Sequence, residues 1–277
     1  MERLQIALEK ARASRKDGTA PAGTRISAGA ASRGSYGKEA AWEALTALDV
    51  DERALARKRV LAVSGGSEAA PYDLLRTRVM QQIREQGWRR VAVVSPNASA
   101  GKTTTVANLS FALGRQDDFR TITLDFDLRR PALGKVLGQA SAHNMADVVR
   151  GKVEFADHAR RLGANLAFGL NNMAVTQSSE LLQSRQTVDI LEQIEDSYAP
   201  DLMLFDMPPL HGADDSFGFL HQVDAALIIV EAEKTSIAQI DVVERQVAES
   251  TNVMGVVLNK CNYARGAYGA NYGYGYY

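Results

Sequence analysis

From about residue 70 onward, short apolar runs alternate with longer stretches whose apolar positions recur at helical spacing. A helix carrying Leu74, Leu75, Val79 and Ile83 is predicted before the strand Val91-Ala-Val-Val94. After a loop come a helix with Val106, Leu109 and Leu113 and the strand Thr121-Ile-Thr-Leu124. Beyond a variable stretch, the pattern predicts a helix over about 178–197 and the strand Leu202-Met-Leu-Phe205. The strand Ala225-Ala-Leu-Ile-Ile-Val230, a helix over about 235–250 and the strand Val253-Met-Gly-Val-Val-Leu258 complete it. Short strands that are apolar on both faces belong in a buried, mainly parallel sheet with helices on both faces, so the predicted class is α/β. Ligands of such sheets bind beyond the carboxyl ends of the strands.

The ends of the chain read differently. Leu4, Leu8 and Ala11 predict a short amphipathic helix over 2–14, either solvated or docked on a partner or membrane surface. Residues 15–37 are rich in Gly, Ala, Ser and Arg and read as a linker, with a weak helix over about 38–48. The last fifteen residues hold six of the nine tyrosines: Tyr263, Tyr268, Tyr272, Tyr274, Tyr276 and Tyr277. Among them lie mainly Gly, Ala and Asn, with Arg265 the one charged side chain and no aliphatic residue to bury. A flexible tail is expected there. The expected organisation is an N-terminal helix and linker over 1–60, a nucleotide-binding domain over 61–260 and a tyrosine-rich tail over 261–277.

Charge and composition narrow the function classes. The net charge of -1 gives no case for nucleic-acid binding, although residues 1–38 carry eight basic residues against three acidic ones. The single cysteine, Cys261, excludes an internal disulfide and fits a reducing compartment. His143, His158, His211 and His221 show no ligand spacing, so zinc is not expected. Without a spanning apolar run or signal-peptide core, a cytoplasmic protein is expected.

Three motifs fall at predicted strand ends. Ser95-Pro-Asn-Ala-Ser-Ala-Gly-Lys-Thr103 has the form of a phosphate-binding loop, with Pro96 in place of its first Gly and Gly101-Lys102-Thr103 intact. Its backbone amides, those of Ala98, Ser99, Ala100, Gly101 and Thr104 among them, suit a polyphosphate at a helix N-terminus. Lys102 is expected to meet the β- and γ-phosphate oxygens of ATP, and Thr103 to offer its hydroxyl to Mg²⁺. Asp206 ends a strand ahead of Met207-Pro-Pro209 and suits a magnesium-bound water. Asp125 and Asp127 flank Phe126 and point the same way in an extended chain. One suits a metal-bound water and the other a proton from an incoming hydroxyl. Arg129 and Arg130 follow, to steady a γ-phosphate or pair with the carboxylates, and Pro131 is placed to start a helix.

Gly101-Lys-Thr-Thr-Thr105, Leu124-Asp-Phe-Asp-Leu-Arg-Arg-Pro131, Leu204-Phe-Asp-Met-Pro-Pro209 and the tyrosine tail together resemble the bacterial tyrosine kinases, the autokinases of polysaccharide co-polymerases. Asn144-Met-Ala-Asp-Val-Val-Arg-Gly151, Gln177-Ser-Ser-Glu-Leu-Leu182 and Gly255-Val-Val-Leu-Asn259 extend the similarity over about residues 70–277. The resemblance implies a P-loop NTPase-like fold and a tyrosine autokinase using ATP and Mg²⁺. Lys102, Asp125, Asp127 and Asp206 would be its catalytic set, with Asp125 as base, and Thr103, Asp127 and Asp206 would serve the metal. Asn259 would contact adenine, and the six tail tyrosines would be the phosphoacceptors. It further implies regulation of exopolysaccharide or capsule polymerisation and export. The implied partners are a membrane-embedded co-polymerase activator, a tyrosine phosphatase and other copies of the chain, and the implied location is peripheral, at the inner face of the membrane. The family's Glu-x-x-Arg-x-x-Arg ring motif is not kept: its register holds Ala70, Asp73 and Arg76, and only the last matches. The rival reading is a non-kinase ATPase switch of the partition or division-site type. Such switches place a second lysine early in the loop, which this chain lacks.

Overall fold

The predicted strands form and line up side by side: those over 91–94, 121–124, 202–205 and 225–230 are buried along their length, while the strand over 253–258 leaves Val256 and Leu258 exposed. The computed structural model describes residues 37–261 apart from Ala213. The expected helix over 2–14, the linker up to residue 36 and the six tail tyrosines lie outside the described residues. The sheet has eight strands in the order β1-β4-β5-β3-β6-β2-β7-β8. They are β1 (Thr46–Ala47), β2 (Arg90–Val94), β3 (Thr121–Asp125), β4 (Arg160–Leu162), β5 (Leu166–Gly169), β6 (Leu202–Asp206), β7 (Ala225–Glu231) and β8 (Asn252–Asn259). Every neighbouring pair is parallel except β4 and β5.

Each face of the sheet carries its own apolar layer. On one, Phe126, Phe205 and Phe219 meet edge to face at 5.0–5.2 Å between ring centroids, beside Leu191, Val243 and Val247. On the other lie Val79, Ile83, Leu109, Phe111, Leu113 and Phe168. The helices are α1 (residues 37–44), α2 (Glu52–Arg57), α3 (Ala70–Gln86) and α4 (Lys102–Gly114), then α5 (Leu133–Leu137), α6 (Met145–Val149) and α7 (Phe155–His158). The last four are α8 (Ser178–Leu182), α9 (Arg185–Tyr198), α10 (Asp215–Leu220) and α11 (Ile237–Ala248). Among the described residues, no helix is long and apolar enough to cross a membrane.

Four expectations need correction. Residues 38–60 do not belong with an extension: they fall in the same compact unit as the rest of the described chain. Trp42 and Leu45 are buried in one apolar layer, Leu48, Leu55 and Val60 in the other, and β1 pairs with β4. The Trp42 indole donates to the Tyr198 carbonyl at 2.7 Å, so this tryptophan is both packed and hydrogen bonded. The single helix over 178–197 is two, because Ser184 stops α8 and caps α9, its side chain accepting from the Thr187 amide. Leu74 is 54% exposed, and Val79, Met80 and Ile83 make the buried stripe of α3. Pro131 lies just before the Ala132 N-cap of α5 rather than inside the helix.

Candidate nucleotide and phosphoryl-transfer site

Three adjacent strands end together and deliver the three motifs to one edge of the sheet. Asp125 and Asp206 are register partners at the ends of β3 and β6, and Asp206 also pairs with Val93 of β2. β2 runs straight into the loop 95–101, and α4 begins at Lys102. The loop turns through two left-handed residues, Ser99 (φ 65°) and Gly101 (φ 91°). A side chain at Gly101 would also collide with the Asn259 amide nitrogen. The loop's first half hangs on the segment after β6: the Leu210 and His211 amides donate to the Ser95 and Pro96 carbonyls at 2.9 and 3.0 Å.

Lys102 is buried, and its ammonium lies 3.1 Å from Asp206 Oδ1. Asp125 is fully buried, with Oδ2 accepting from the Leu133 amide at 3.2 Å. Asp127 is nearly as buried, and its Oδ1 accepts from the Arg130 amide at 3.0 Å. Two carboxylate oxygens, Asp125 Oδ1 and Asp206 Oδ2, have no hydrogen-bond partner among the described residues. Burial pushes the Asp125 carboxyl well above its usual range, and the nearby charges of Asp206 and Asp127 push it further. Burial also raises Asp127, with Lys102 opposing the shift. The centre thus sets three buried carboxyls against one ammonium.

That imbalance fits a cation. Among the described residues, no three His, Cys, Asp or Glu side chains come close enough to hold a metal ion unaided. Magnesium in phosphate-loop sites needs fewer, since it keeps waters and phosphate oxygens in its shell. The orphaned Asp206 oxygen, the buried Asp127 carboxyl and the half-buried Thr103 suit it on those terms.

Among the residues expected for nucleotide, Ala98 and Ser99 are exposed, Ala100 is buried and Thr104 is half-buried, all on the loop or the first turn of α4. Asn259 stands at the same edge, its amide donating to the Ala100 carbonyl at 2.9 Å. Arg129 turns away from the carboxylate centre: its Nε lies 2.6 Å from the buried Asp215 and its Nη2 3.4 Å from Asp214. Asp215 also accepts from the Ser178 hydroxyl. Sequence reasoning gave no role to Asp215, which sits in no motif, nor to Ser178, which it quoted only as part of the segment 177–182. It also missed Asn171, which donates to the Asp125 backbone carbonyl at 2.6 Å and accepts from the Met145 amide at 2.8 Å.

The model of the CobQ/CobB/MinD/ParA nucleotide-binding domain matches residues 91–268, well over half of the chain. The chain belongs to this family. Within it, the chain is similar to the tyrosine-protein kinase CpsD of Streptococcus pneumoniae serotype 4, with 25% identity over 72% of this chain and 86% of that protein. It is 26% identical to the tyrosine-protein kinase Wzc of Salmonella typhi, over 79% of this chain but only 30% of Wzc. The kinase domain of the Escherichia coli tyrosine kinase ETK superposes with a TM-score of 0.65 and 21% identity, over 78% of this chain and 84% of that one. The division-site protein MinD of Pyrococcus horikoshii, solved with Mg-ADP, gives 0.52 and 21%, over 65% and 72%. At such identities the two solved structures establish the shared fold.

Proposed function

We propose that this chain is an ATP-dependent protein-tyrosine kinase that phosphorylates its own C-terminal tyrosines. The observation that carries the reading is the buried centre of Lys102, Asp125, Asp127 and Asp206 at the phosphate-loop edge, in a chain that ends in six clustered tyrosines. The kinase names of CpsD and Wzc support the same choice.

Lys102 and the loop amides hold the phosphates. Thr103, Asp127 and Asp206 would hold Mg²⁺, which would supply positive charge to neutralise the transferring group. In the transfer, the phenolic oxygen forms a bond to the γ-phosphorus as the bridging oxygen leaves with ADP. The phenol proton passes to Asp125, whose raised pKa makes it the best proton acceptor of the set. The acceptors are Tyr263, Tyr268, Tyr272, Tyr274, Tyr276 and Tyr277. Each phosphate adds about 1.5 to 2 negative charges to a segment that holds one arginine, which favours release from neighbouring copies or a membrane-bound activator. Its setting is exopolysaccharide or capsule synthesis, at the inner membrane face through a co-polymerase partner and with a phosphatase to reset the tail.

The family also contains the MinD and ParA ATPases, so a nucleotide switch is the second reading. Intact mass separates the two. After phosphatase treatment and Mg-ATP, with and without the cytoplasmic segment of the activator, a kinase gains whole phosphates that are lost on truncation after Cys261. A switch releases phosphate to water and gains no mass.

A further inference from the structure

A phosphate loop binds anions because its amides face inward, which forces its carbonyls outward. In this chain two of those carbonyls are taken by the end of β8. The Lys260 ammonium donates to the Ser99 carbonyl at 2.6 Å, and the Asn259 amide donates to the Ala100 carbonyl at 2.9 Å. Lys260 is itself anchored, its ammonium lying 3.2 Å from Glu231 at the end of β7. Glu231 and Asn259 are register partners, so the clamp grows directly from the β7–β8 ladder. Gly101 makes the approach possible: any side chain there would strike the Asn259 amide, and the Lys260 stem passes just beyond. The residue that most needs support is Ser99, a non-glycine held at φ 65°.

We infer that Lys260 and Asn259 are positioning residues for the phosphate loop. They fix the carbonyls of Ser99 and Ala100 and so keep the intervening amides turned toward the nucleotide. Lys260 stands one residue before Cys261, where the tyrosine-bearing segment begins, so the root of that segment and the nucleotide loop share an anchor. Glu231 also pairs with Lys234 at 2.7 Å, so removing Lys260 does not leave that carboxylate alone.

The inference rests on the reading of 95–103 as a nucleotide loop, but its first test needs no nucleotide. Amide exchange of the 97–103 segment is measured in the ligand-free wild type, Lys260→Met and Lys260→Arg. Met keeps the apolar stem and removes the donor, while Arg restores a donor. Exchange in Lys260→Met is expected to rise about tenfold, the effect of losing one charge-assisted hydrogen bond, and to return toward wild type in Lys260→Arg. Mg-ADP affinity falls by a similar factor in the Met variant, while turnover at saturating nucleotide changes little. Unchanged loop exchange in Lys260→Met overturns the inference. So does an equal rise across β3 and β6, which would mark a general loss of stability. Absence of Mg-ADP binding by the wild type would instead sink the functional reading.

Discussion

Asp125 and Asp206 end neighbouring parallel strands in register, both fully buried, each with one carboxylate oxygen that meets no donor. Among the described residues, the cation paired with either is Lys102, through Asp206 at 3.1 Å, while the Leu133 amide donates to Asp125. A fold does not retain such a pair for stability, since buried like charges repel and unpaired oxygens are costly. The pair is understandable as a site whose missing positive charge arrives with the magnesium-bound nucleotide.

The Lys102–Asp206 contact leads to the first prediction. Lys102→Met leaves Asp206 without its ammonium and should lower nucleotide-free stability by about 3 kcal/mol, the usual scale for breaking a buried pair. The double variant Lys102→Met, Asp206→Asn should recover much of that loss. Urea unfolding of the two single variants and the double variant checks this, and simple additivity would contradict it.

Asp125 gives a pH dependence. Its folded pKa is raised, so the contribution of its protonated form to stability is full below the unfolded value near 3.8 and is lost as pH rises through the folded pKa. On the proposed reading, magnesium-nucleotide would need the charged carboxylates and would displace that proton. Mg-ADP should therefore bind more tightly as pH rises across this window, with proton release measurable by calorimetry in buffers of different ionisation enthalpy. Asp125→Asn should flatten the pH profile.

His158 works in the opposite direction. It is buried at the end of α7, and burial lowers its pKa from 6.5 to about 4, with Arg160 and His143 adding to the shift and Asp147 opposing it. The Leu170 backbone lies close enough to oppose the shift too, yet neither ring nitrogen makes a hydrogen bond. The unfolded chain therefore takes up a proton first as pH falls below 6.5, and stability is lost between there and about 4. The loss approaches roughly 3 kcal/mol at the acid end, from 1.4 kcal/mol per pKa unit. His158→Leu should show a smaller decline between pH 7.5 and 5 in urea unfolding.

Trp42 tests the extent of the domain. Trp42→Ala should cost about 3–5 kcal/mol, since the residue is buried, meets Tyr198 edge to face at 6.1 Å and donates to its carbonyl. A shift in melting temperature of less than about 3 °C would mean that residues 38–60 are not integral to the fold.

The chain announced the sheet from β3 across to β8 and concealed the side made of β1, β4 and β5. β2, β6 and β7 carry continuous apolar runs, the signature of a buried strand, and β3 is buried with Thr121 and Thr123 alternating with Ile122 and Leu124. Arg160-Arg-Leu162 and Thr46-Ala47 gave no such signal: they are short, partly polar strands whose pairing is decided by tertiary contacts. The split at Ser184 was readable as a cap but lay inside a longer helical pattern. At the site, Lys102, Asp125, Asp127 and Asp206 were legible because strand ends and loop glycines mark them. Lys260 was not, since a lysine after a strand carries no pattern until the loop is seen folded against it.

The central claim is transfer of phosphate to the chain's own tyrosines, and phosphosite mapping by mass spectrometry tests it most directly. The protein is stripped with a phosphatase and given Mg-ATP together with the activator's cytoplasmic segment, beside a Lys102→Ala control. Phosphotyrosine is expected within residues 263–277 of the wild type and nowhere in the control. ATP hydrolysis without phosphate on any of the six tyrosines would contradict it and favour the nucleotide switch.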